Sequence, residues 1–170
     1  MLKKSFLLLL PVLFLAVTAA AGIKHYRSGV IVAAEVTKAK LNIANLPPLA
    51  FPDLPPDRAY AVVSVKLDDM RELSIFDYSL DIHGTPWRCI ALYRNNRYEY
   101  FSGDIHGTGV MQMLFAVDAK LIPASGTVNA VLKSNLSDAR FGYDAPIPCK
   151  VIGNKLPTAP RAIPAAGLLP

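Results

Sequence analysis

Among its 170 residues the chain has only two cysteines, one tryptophan and three histidines. So few cysteines exclude a disulfide-dense miniprotein. No G-x-S-x-G, H-E-x-x-H or phosphate-binding loop occurs, which leaves hydrolase and nucleotide chemistry without a motif. Beyond residue 60 no stretch sustains a 3.6-residue period, and this excludes a helical bundle. Nor is charge of one sign concentrated. Lys24, Arg27, Lys38, Lys40, Arg88, Arg94 and Arg97 are scattered, whereas a nucleic-acid binder gathers such residues on one face. The reading is of a non-enzymatic protein that binds neither nucleic acid nor a dedicated cofactor.

The N-terminus does carry a signal. Lys3 and Lys4 precede the apolar run Phe6 to Val17, and small residues follow from Thr18 to Gly22. A basic segment feeding an apolar one is the pattern that enters an export channel, and Ala19-Ala20-Ala21 supplies a cleavage sequence. Ser5 to Ile23 is also free of charge. As a helix it would reach about 28 Å, close to the roughly 30 Å of a hydrocarbon core. Residues 1–22 therefore read as a signal peptide or an uncleaved signal anchor. Either places the remainder outside the cytoplasm, in the periplasm or tethered to the inner membrane facing it. If the leader leaves, Lys3 and Lys4 leave with it, and 16 basic residues face 13 acidic ones.

The remainder is punctuated for strands. Gly29–Thr37 reads as the first. A proline-rich arm follows, Leu46-Pro47-Pro48-Leu49-Ala50-Phe51-Pro52-Asp53-Leu54-Pro55-Pro56, which five prolines bar from helix. Further β-branched and aromatic runs cover 60–67, 73–80, 87–94, 97–101, 110–117, 127–136 and 147–152, with turn residues between them. Short runs at this spacing predict an all-β fold, an antiparallel sandwich or barrel, with an Ig-like β-sandwich the preferred form. The organisation expected is 1–22 leader, 23–58 first strand and arm, 59–153 β-domain, and 154–170 disordered proline-rich tail. The arm's Leu49, Phe51 and Leu54 either pack on the domain or meet a partner.

Cys89 and Cys149 both lie in the exported part, each within a strand-like stretch. In an oxidising compartment such a pair predicts a disulfide. Closing a loop of that length would stabilise the fold by roughly 4 kcal/mol in the chain-entropy account.

One internal echo bears on chemistry. Asp81-Ile82-His83-Gly84-Thr85 recurs as Asp104-Ile105-His106-Gly107-Thr108. In extended chain Asp and His two apart share a face, so Asp81, His83, Asp104 and His106 could supply oxygen and nitrogen ligands to a metal. The same spacing also makes a type I turn, with Asp at its start and Gly three residues on. His106 is followed by Met111 and Met113, and thioether with imidazole suits Cu(I). The stretch Gly109-Val110-Met111-Gln112-Met113, with Ile122 to Val128, resembles the periplasmic copper chaperones of the cupredoxin-like PCuAC family. That family closes its site with a later His-x-Met pair, where this chain has Asn135-Leu136-Ser137. The other reading makes Met111, Met113, Phe115 and Val117 one buried strand face.

The sequence thus points to an exported binding or accessory protein that contacts another envelope or membrane protein. A small periplasmic copper-type metal-binding protein is the alternative.

Overall fold

The computed structural model describes residues 29–67, 78–100, 109–134 and 146–159. The leader, Asp104 and His106, Asn135-Leu136-Ser137 and the tail beyond residue 159 lie outside them. Among the described residues there are nine strands: β1 (Gly29–Thr37), β2 (Ile43–Ala44), β3 (Arg58–Leu67), β4 (Tyr78–Ile82), β5 (Thr85–Arg94), β6 (Arg97–Glu99), β7 (Gly109–Asp118), β8 (Thr127–Ser134) and β9 (Ile147–Gly153). The all-β expectation holds. The sandwich does not appear: seven strands close into a barrel in the order β5-β4-β8-β9-β1-β3-β7, and β7 pairs back onto β5. A strand with one face buried alternates identically whether its sheet stays open or closes on itself, so the pattern does not encode closure.

Turn chemistry sets the hairpins. His83 and Gly84, between β4 and β5, both have positive φ (53° and 81°), as do Asn95 and Asn96 between β5 and β6 (50° and 61°). Positive φ at both central residues marks the type I′ turn, whose twist matches the strands it joins. The Asp81 turn is thus a two-residue hairpin centred on His83-Gly84, not the type I turn expected. Within the barrel every pair is antiparallel except β1–β9, which is parallel and brings the first described strand beside the last.

The interior is filled by one residue in two from each strand: Val36, Ala61, Val63, Leu80, Cys89, Met113, Phe115, Leu132 and Cys149 are all fully buried in one cluster. Small and large side chains oppose each other, with Ala61 paired to Phe115 and Val63 to Met113 across β3–β7. That alternation fits a small closed barrel.

A second cluster lies outside the wall. Tyr60 and Val62 of β3, Leu114 and Ala116 of β7, Ile90 and Ala91 of β5 and Tyr98 of β6 face outward and are nonetheless buried. The chain from Ala39 to Leu54 covers them, with Leu41 and Phe51 buried and Ile43, Leu46 and Leu54 half-buried against the same face. Phe51 meets Tyr100 edge-on at 5.8 Å. A β-bulge between Cys89 and Ala91 makes this layer possible. Its extra residue lets Cys89 and Leu92 both face inward, while Ile90 and Ala91 serve the outer cluster.

Phe115 sits at the centre of the closure, opposite both Ala61 and Cys89. Phe115→Ala is expected to lower stability by about 3–5 kcal/mol in urea unfolding. A loss under about 1 kcal/mol would show that this side chain is not in a closed core.

Candidate functional site

Cys89 and Cys149 are not joined. Both are fully buried in the barrel interior, and their thiols are unbonded. The expected Cys89–Cys149 disulfide is therefore not present. β4 and β8 lie between the two strands that carry them, a separation on the order of 14 Å along the wall. A disulfide needs Cα atoms within about 7 Å. Burial pushes the Cys89 thiol up to about 12 and the Cys149 thiol up to about 11, so neither is a nucleophile at neutral pH. Unreduced protein is expected to titrate no thiol with Ellman's reagent when native and two when denatured. A denatured count of zero would mean that the bridge exists.

The residues proposed as metal ligands are not brought together where they are described. His83 is exposed at the tip of the β4–β5 turn. Asp81 is occupied locally: Oδ1 accepts from the Gly84 amide at 2.8 Å and Oδ2 from Lys133 Nζ at 2.7 Å. The Lys133 ammonium, helped by the Gly84 amide and opposed by desolvation, holds the Asp81 carboxyl below its usual value. Met111 and Met113 point into the barrel interior, packed with Phe115 and Val117. Asp104 and His106 fall outside the described residues. Among those described, no group of three or more His, Cys, Asp or Glu side chains is placed to hold a metal ion.

A folded carboxyl with a depressed pKa contributes stability above its unfolded value and loses it as pH falls through the folded one. The Asp81–Lys133 pair should therefore stabilise the hairpin at pH 7 and not at pH 2. Lys133→Met is expected to lower Tm by about 2 °C or less at pH 7, the pair being surface-exposed. A difference that persists undiminished at pH 2 would place the effect elsewhere.

What the fold does assemble is a cleft between the arm and the wall. Ala50 to Pro55 form one side; Pro86, Trp87, Arg88 and Ile90 of β5 and Ala116 of β7 form the other, enclosing about 140 Å³. Phe51, 7% exposed, pins the arm there, while Leu49 on the preceding 3-10 turn (Pro48–Ala50) is 96% exposed. Of the three leucine and phenylalanine positions singled out in the sequence, Phe51 is thus spent on the protein's own wall, Leu54 is half-spent, and Leu49 is free. The Trp87 Nε1 beside the cleft is buried and has no acceptor. Such an orphan donor is uncommon in folded proteins. A pocket for a drug-sized molecule measures roughly 300–1,000 Å³, so this one is scaled to a single aliphatic or aromatic side chain.

No family model, curated protein or solved structure matches the chain.

Sequence reasoning missed a further polar cluster, on the outer wall away from the cleft. Tyr98 Oη donates to Gln112 Oε1 at 2.9 Å, and Gln112 Nε2 donates to the Thr158 carbonyl at 2.6 Å. The Thr158 amide and hydroxyl donate to the two carboxylate oxygens of Glu35 at 2.8 and 3.1 Å. Burial, with the nearby Tyr93 and Glu35, raises the Tyr98 phenol above its ordinary range, so it stays a donor. The detectable signal was Gln112, a lone amide in the otherwise apolar run of β7.

Proposed function

We propose that this chain is an exported, non-enzymatic binding protein that docks on another envelope or membrane protein through the arm. The observation that carries the reading is Leu49. A leucine 96% exposed stands on a segment whose neighbour Phe51 is locked into the wall, beside a cleft sized for one side chain, where Trp87, Ile90 and Ala116 meet Asp53 and Arg88. A single exposed leucine is ordinary on a protein surface. Here it stands on a short turn flanked by prolines, next to a hollow of side-chain size, the arrangement in which an anchor residue buried by a partner contributes most to an interface. The barrel itself is filled with side chains and serves as the scaffold. The leader read from the sequence would bring this surface to the envelope, and it would also serve as a membrane tether if retained.

The test is native mass spectrometry and in-membrane cross-linking of the full-length protein in its own host. A partner is expected to be retained by wild type and reduced roughly tenfold or more by Leu49→Asp. An unaltered partner yield in Leu49→Asp overturns the arm as the docking surface. A monomeric, partner-free wild type overturns the binding reading itself. Stoichiometric metal that is lost in the His83→Ala/His106→Ala double variant would install the copper-type alternative instead.

A further inference from the structure

The C-terminal end of β9 does not simply leave the barrel. β9 runs parallel to β1, with Glu35 opposite Lys150 and Thr37 opposite Gly153. Gly153 then adopts φ +64°, which an L side chain rarely takes, and the chain turns back. The Lys155 amide closes this turn on the Ile152 carbonyl at 3.3 Å. The Gly153 carbonyl accepts from the Lys38 amide at 2.7 Å, and the buried Thr37 hydroxyl donates to the Lys155 carbonyl at 2.6 Å. Thr158 finally reaches Glu35 and Gln112. The returning segment therefore retraces β1 in the opposite direction, from Lys38 to Glu35, and crosses to β7.

What holds this segment is polar. Leu156 is 72% exposed, and Asn154, Lys155 and Thr158 are exposed as well. By contrast its receptor is built into the wall. Gln112 is 2% exposed at a position where its strand neighbours Leu114 and Ala116 carry apolar side chains. A buried amide needs both of its ends satisfied. Tyr98 satisfies one and the Thr158 carbonyl the other, while Glu35 takes the threonine's amide and hydroxyl together. Three different groups of one exposed residue are thus read by two side chains. A segment held by a few hydrogen bonds, with little apolar burial, opens far more readily than the core it lies on.

We propose that residues 153–158 are a releasable strap, hinged at Gly153 and latched by Thr158 on Glu35 and Gln112. Latched, the strap lays Thr158 beside β7. It also forms one wall of a cleft of about 460 Å³ against β9 and Ser125, lined by Lys150 and Lys155 as well as Glu35. Released, it frees residues 154–158 to extend from the end of β9 by up to roughly 17 Å and removes that wall.

Trypsin cleavage at Lys155 in the full-length protein reads the open population directly, alongside amide exchange over 154–158. Thr158→Val and Glu35→Gln should each accelerate cleavage at Lys155 by roughly 5–10-fold and leave the barrel's Tm within about 2 °C of wild type. Unchanged cleavage in both variants overturns the latch. Strap amides that exchange only with global unfolding, in wild type and variants alike, overturn its independence and make it a fixed part of the barrel.

Discussion

The pairing of β7 with β5 is the contact on which the remaining architecture rests. Without it the sheet would end at two long strands with unsatisfied backbone groups, a form prone to edge-to-edge association. With it the wall closes, and side chains from seven strands meet in one interior. The closure is made at the bulge around Ile90, where the register between β5 and β7 shifts. That shift also inverts which residues of β5 face outward. The same local irregularity therefore closes the core and creates an apolar patch on its outside.

The outer patch explains the proline-rich arm. β3 and β7 carry apolar side chains on both faces, so water must be excluded from the wall's outside as well as its inside. An extended segment with little backbone freedom covers such a surface at low entropic cost, since proline restricts the unfolded chain too. Phe51 and Leu41 provide the burial, and the prolines hold the shape between them. Leu49 is exposed because the short 3-10 turn at Pro48–Ala50 carries it away from the wall while Phe51 turns in. The exposed anchor and the cleft beside it are consequences of how the barrel had to be covered.

Polar groups follow a comparable logic on the same outer face of the wall. Gln112 interrupts an apolar strand and is buried there, so its hydrogen bonds must be found within the protein. They are found in Tyr98, on a hairpin paired to the opposite side of β5, and in Thr158, near the C-terminus. A single amide thereby links three elements distant in sequence. Asp81 shows the contrary case, a carboxylate whose partners, Gly84 and Lys133, lie on its own hairpin and the adjacent β8.

Strand positions were legible in the sequence because β-branched and aromatic runs between turn residues are local. Gly29–Thr37 appears with the expected bounds, and Ile147–Gly153 extends the expected run by one residue. Asn95-Asn96 fills the two-residue gap between the runs 87–94 and 97–101 and turns β5 into β6. Met111, Met113 and Phe115 share a face because period two is a property of the strand alone. Val62, Leu114 and Ala116 occupy the opposite face of the same strands, and an apolar run does not say what covers it. Closure, the separation of Cys89 from Cys149 by two strands, the folding of the arm onto β3 and β7, and the Thr158 latch were all decided by tertiary structure. Each depends on which strands become neighbours, and that choice is set by summed packing across the whole chain rather than by any local spacing of residues.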